Sequence, residues 1–99
     1  MSSAFAFWNG GKETHYALFR AAHAGVDCKL LIAFVDESTE LMMSTRLPPE
    51  LIEEQASLVG IPLLKLRVTR LTFERVLRNT LFDLRTQGIT LGIFAEVGA

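Results

Sequence analysis

Scarcity says as much about this chain as abundance does. Cysteine occurs once, at Cys28, so no internal disulfide can form, and a reducing cytoplasm is the expected compartment. Neither sign of charge dominates, since ten basic and eleven acidic residues leave a net charge of −1. Such a balance offers no electrostatic footprint for nucleic acid or an anionic membrane, and neither is an expected partner. No apolar run approaches the ~20 residues that span a bilayer. Met1-Ser2-Ser3-Ala4-Phe5 carries no basic residue ahead of its short apolar run, so it reads as a first strand and not as a secretory signal. Repeats, low-complexity tracts and linkers are missing as well, and 99 residues make one domain at most.

What the chain has in plenty is apolar surface. Its hydrophobic share is 49% and its mean hydropathy +0.29. A domain of this size buries only roughly 65% of its unfolded surface. Some of the apolar remainder is therefore expected to meet a partner or a missing segment, with a homo-oligomer as the expected arrangement.

Two kinds of segment alternate. Ala4 to Trp8 is a short apolar run ended by glycines. Lys12 to Ala24 places Tyr16, Ala17, Leu18, Phe19, Ala21 and Ala22 at helical spacing and stops at Gly25. Lys29 to Val35 is almost continuously apolar, as a strand covered on both faces should be. A polar loop leads to Pro48-Pro49, which suit the first turn of a helix. Ile52, Ala56 and Val59 then recur on one face before Gly60. Ile61 to Val68 reads as a third strand. A longer helix from about Thr72 carries Phe73, Leu77, Leu81 and Leu84 and ends at Gly88, and Ile89 to Ala95 reads as a fourth strand. The order βαβαβαβ predicts an α/β domain with a mainly parallel sheet and right-handed crossovers. Only Glu96 to Ala99 follow the last strand. The expectation is one α/β domain over residues 1–99, incomplete at its C-terminal end.

The stretch Asn9-Gly10-Gly11-Lys12-Glu13-Thr14 lies where the first strand hands over to the first helix. In open α/β sheets ligands bind beyond the carboxyl ends of strands, at a topological switch point. Glycines there let backbone N–H groups approach an anion, and the following helix adds its partial positive charge. Lys12 adds a full charge and Thr14 a hydroxyl. A tight turn with no ligand is the competing reading. The G-x-x-x-x-G-K-[ST] loop and the G-x-G-x-x-G fingerprint are both absent. Asp36, at the end of the second strand, stands either where a ribose-binding acid would sit or as a solvated strand-end residue.

Larger patterns favour one comparison. Phe7-Trp8-Asn9-Gly10-Gly11-Lys12-Glu13-Thr14 resembles the F-W-S-G-G-K-D-S loop of the diphthine–ammonia ligase family, among the N-type ATP pyrophosphatases or PP-loop enzymes. Tyr16-Ala17-Leu18-Phe19-Arg20-Ala21 is similar to that family's Y-A-L-Y-R-A helix. Glu50 to Ala56 and Leu58 to Leu63 resemble its E-L-x-x-x-Q-A-x-x-L-G-I-P-L segment. The resemblance implies a three-layer HUP-type fold with strands in the order 3-2-1-4 and helices on both faces. It also implies ATP and Mg²⁺, adenylation of a carboxylate with release of pyrophosphate, and amide formation with ammonia on an elongation factor 2-like protein acceptor. By the same resemblance, Asn9, Gly10, Gly11, Lys12, Glu13 and Thr14 surround the phosphates. Lys12 and Glu13 are the catalytic candidates, with Glu13 the candidate Mg²⁺ ligand. Trp8, Phe34, Val35 and Asp36 border the adenosine, and Glu96 closes the site from the fourth strand.

This chain departs from the family pattern at definite places. Asn9, Glu13 and Thr14 replace Ser, Asp and Ser. Ala95 and Glu96 replace the Gly-Asp of a V-F-G-D-I-like stretch, and Leu41 to Thr45 lack the histidine of relatives. Glu13 is one methylene longer than Asp, and a misplacement of about 1 Å can cost ~100-fold in rate. The alternatives to a working ligase are a non-catalytic nucleotide-binding or structural module, and a truncated fragment without activity. His15 and His23 share one helix without a recognised metal spacing, and Cys28 reads as a small buried residue. Met42 and Met43 read as a loop tucked onto the core.

Overall fold

A computed structural model describes residues 3–9, 12–43 and 45–93. Its elements run β1 (Ser3–Phe7), α1 (Lys12–His23), β2 (Asp27–Asp36), α2 (Pro49–Val59), β3 (Leu63–Val68), α3 (Phe73–Thr86) and β4 (Leu91–Ile93). The strands form one sheet in the order β3-β2-β1-β4, and every named pairing is parallel. This is the parallel α/β arrangement that the alternation of segments predicts, with the three layers and strand order that the resemblance implies.

Alternation along β2 explains the layers. Leu31, Ala33 and Val35 point to one face, where they join Ala6 and Trp8 beneath Leu18 of α1 and Ile52 and Ala56 of α2. Leu30, Ile32 and Phe34 point to the other, with Phe5, Phe7 and Leu66 and with Leu84 of α3. The second face is strongly aromatic. Phe5 meets Phe7 at 5.5 Å, Phe7 meets Phe34 at 5.6 Å, and Phe34 meets Phe73 of α3 at 4.7 Å between ring centroids. The near-continuous apolar run of β2 is thus two interleaved sets, one for each layer.

Element ends follow local chemistry. Pro49 opens α2, where a missing N–H costs nothing. Gly60 closes it at φ 83°, in the left-handed region, with its N–H donating to Ala56. β3 begins at Leu63 and not at Ile61. Pro62 has no N–H to give the ladder, although its carbonyl accepts from Leu31 at 2.8 Å. Ahead of α3, Thr69 and Thr72 exchange hydrogen bonds between each hydroxyl and the other's amide, at 2.9 and 3.2 Å. β4 covers Leu91–Ile93, and the remainder of the expected fourth strand, Phe94 and Ala95, lies outside the described residues.

Not all apolar residues find cover. Tyr16 and Phe19 on α1, Leu58 on α2, Phe82 on α3 and Leu91 on β4 stay exposed. The loop between β2 and α2 does the reverse. Met42 is 2% exposed and forms an antiparallel bridge with Val35, so this loop folds back over the carboxyl end of β2 as part of the core.

Candidate functional site

The central strands β1 and β2 deliver their carboxyl ends to the same edge of the sheet. β1 lies between β2 and β4, and the chain leaves β1 towards α1 on one face but reaches β4 from α3 on the other. That divergence defines the switch point of an open α/β sheet, and the turn after β1 opens onto it.

Trp8 extends β1 by one bond, its N–H donating to the Ile32 carbonyl at 2.8 Å. Its side chain is 1% exposed and packs in the core beside Val35 and Met42, with the His15 imidazole 4.4 Å away. The indole Nε1 is buried with no acceptor among the described residues, an uncommon state for a donor-only group. Asn9 follows. Its side-chain oxygen receives the Thr14 hydroxyl at 3.5 Å, a long contact, and its carbonyl receives the Thr45 hydroxyl at 3.2 Å. Gly10 and Gly11 lie outside the described residues.

Helix α1 starts at Lys12. Lys12 and Glu13 are exposed, while Thr14 is 6% exposed. Glu13 complements the positive end of the helix, as Arg20 and His23 complement its negative end. Lys12 opposes it. Among the described residues Lys12 pairs with no side chain.

At the end of β2 the predicted residues separate by face. Phe34 joins the aromatic set under α3, and Val35 is buried on the α1/α2 side. Asp36 is a knot in its own loop. Its carboxylate accepts from the Ser38 hydroxyl at 2.7 Å, the Ser38 amide at 3.0 Å and the Arg46 guanidinium at 3.4 Å. Those bonds, the Ser38 hydroxyl first, hold its carboxyl below the usual carboxylate range. Backbone bonds tighten the same loop, from Asp36 N–H to Leu41, Glu40 N–H to Asp36 and Met43 N–H to Phe34, at 2.8 to 2.9 Å. Glu40 and Arg46 both adopt φ 62°, left-handed without being glycine.

The structure thus joins Asn9 to Thr14, exposes Lys12 and Glu13 at the start of α1, and buries the Trp8 and Val35 side chains in the core. Glu96 falls outside the described residues. Ser38, Thr45 and Arg46 are partners that the sequence reading missed. Asp36-x-Ser38 had a local signal, as aspartate followed two residues later by serine favours a side-chain-bonded turn. Thr45 had none, since 36 residues separate it from Asn9.

Other candidates stand apart. The Cys28 thiol is half-buried, and desolvation pushes it up from its ordinary value. His23 rests on Phe19, with 4.5 Å between ring centroids. Beside β3 a polar cleft of about 330 Å³ is lined by Val35, Glu40, Glu50, Glu53, Lys65 and Arg67. Its cations are already committed, Lys65 to Glu53 and Arg67 to Glu40. Among the described residues no three His, Cys, Asp or Glu side chains gather to hold a metal. An exposed carboxylate such as Glu13 is the donor type Mg²⁺ accepts, with phosphate oxygens and water as its usual further ligands.

Parallel strands in the order 3-2-1-4 with helices on both faces define a HUP or PP-loop-like α/β domain. The family comparison makes this specific. The model of the diphthamide synthase N-terminal domain matches residues 1–97, and the chain belongs to that family. No curated protein and no solved structure matches it.

Proposed function

We propose that this domain binds ATP at the turn between β1 and α1 and serves carboxylate activation in diphthamide synthesis. One observation carries the reading: Lys12 is an exposed cation at the electropositive end of α1, with no side-chain partner among the described residues. A cation there costs the helix ~0.3–1 kcal/mol, and an anion bound between them reverses the sign. The family membership supplies the chemical context.

In this reading the β- and γ-phosphates lie against residues 9–14. Lys12 meets them with its charge. Asn9 and Thr14 hold the turn's shape through their own contact, and the α1 amides offer donors. The Trp8 and Val35 side chains are in the core, so their contribution at the adenosine end is backbone and support. Glu13, exposed beside Lys12, would hold Mg²⁺, which would supply positive charge to the phosphates. A carboxylate oxygen of a protein acceptor, elongation factor 2-like, attacks the α-phosphorus as the bond to pyrophosphate breaks. Ammonia then displaces AMP from the acyl carbon.

A second reading, binding without turnover, draws on Glu13, whose extra methylene moves the carboxylate relative to the family's aspartate. Titration calorimetry with Mg-ATP, followed by assay of pyrophosphate release with ammonium and acceptor, tests both. One-site uptake and pyrophosphate release are expected. Uptake without release selects the second reading, and no uptake at millimolar Mg-ATP sinks both.

A further inference from the structure

We propose that Thr45 is a positioning residue for the phosphate-facing turn, acting through the carbonyl of Asn9. The proposal rests on the nucleotide reading above and adds a part that the loop residues 9–14 do not contain. The Thr45 hydroxyl donates to the Asn9 carbonyl at 3.2 Å across a separation of 36 residues. A peptide unit is planar, so a bond that fixes the direction of a carbonyl also fixes the N–H that follows it. Holding the Asn9 carbonyl therefore fixes the peptide plane by which the chain leaves Asn9 on its way from β1 to α1, without touching ligand.

A positioning group must itself be held, and the loop between β2 and α2 does this in three ways. Met42 is buried at 2% exposure and bridges Val35, which anchors the loop to the core. The Met42 N–H donates to the Leu47 carbonyl at 2.8 Å, and the Arg46 N–H donates to the Met42 carbonyl at 3.0 Å, closing a turn that contains Thr45. Arg46 then reaches back to the Asp36 carboxylate, which Ser38 already grips from the other side. Arg46 holds φ 62° within this turn, a conformation that non-glycine residues keep only where their surroundings enforce it. Thr45 thus stands on a loop anchored to β2 and reaches across to Asn9, beyond the end of β1.

The test uses Thr45→Val, which keeps the shape and deletes the donor, beside Thr45→Ser, which keeps the donor. Binding of Mg-ATP, inorganic pyrophosphate and AMP is measured by calorimetry on protein whose fold is checked by circular dichroism. Loss of one neutral hydrogen bond predicts about 3- to 10-fold weaker Mg-ATP and pyrophosphate binding in Thr45→Val. AMP binding is expected to change less than twofold, and Thr45→Ser to stay within about twofold of wild type throughout. A merely structural Thr45 would weaken all three ligands together, which overturns the proposal. Equal binding by wild type and Thr45→Val overturns it and leaves the nucleotide reading standing. Failure of wild type to bind Mg-ATP or pyrophosphate removes both. Should Thr45→Val not fold, Thr45→Ala is read against the same thresholds.

Discussion

Replacing Lys12 by alanine separates binding from folding, because the two effects have opposite signs. Lys12 is exposed at the first position of α1, so alanine leaves no cavity and breaks no ion pair among the described residues. Removing a cation from the positive end of a helix relieves ~0.3–1 kcal/mol. For a domain of this size, about 4–8 °C accompanies each kcal/mol, so the melting temperature should rise by roughly 1–8 °C, least at high salt. Binding moves the other way. A hydrogen bond to a charged group contributes about 1.5–3 kcal/mol. With tenfold per ~1.4 kcal/mol, Mg-ATP affinity should fall roughly 10- to 150-fold. Calorimetric titration and thermal melts on one preparation read both quantities. An affinity within twofold of wild type, in protein that melts no lower, would refute the assignment of Lys12 to the phosphates.

Further consequences follow from the packing. Ile52 is wholly buried and fastens α2 to the sheet, so Ile52→Ala should cost ~2–5 kcal/mol by denaturant titration, a large part of a typical 5–15 kcal/mol. Gly60→Ala meets no atom within 4 Å of the added carbon, yet it forces alanine to φ 83°. A loss of about 1–2 kcal/mol is expected from backbone strain alone, and an unchanged denaturation midpoint would contradict it. The Asp36 carboxyl has its folded value held down, so its contribution is present above the ordinary carboxylate value of ~3.9 and fades as pH falls through the folded value. Asp36→Asn should therefore melt below wild type at pH 7, with the gap closing under about pH 4 in melts against pH. A constant gap would place its role elsewhere.

Much of the fold was legible because it repeats locally. The run Leu30 to Val35 advertised a strand covered on both faces, and its two interleaved sets became the two cores. Gly60 marked a helix end through its φ, as did Pro49 through its missing N–H. The parallel order followed from the alternation of segment types and from the resemblance, which the family match bears out. The site was harder to read where contacts close over long separations. Nothing near Thr45 announces Asn9, and although Met42 read as tucked onto the core, where it is buried, nothing near it names Val35 as its bridge partner. Asp36 looked free at a strand end because its partners, Ser38 and Arg46, are made by the path of the loop and not by spacing alone. Trp8 stood beside the glycines in sequence, yet strand alternation turned its ring into the core with Ala6.

The central claim is that nucleotide phosphates rest on the turn between β1 and α1. Its most direct test is an amide-resolved nuclear magnetic resonance titration of the full chain with Mg-ATP. The account predicts that the largest saturable shifts fall on the amides of residues 9–14, with pyrophosphate reproducing them and adenosine alone not. Shifts that gather instead around the Glu40, Glu53 and Arg67 cleft, with residues 9–14 unmoved, would contradict it.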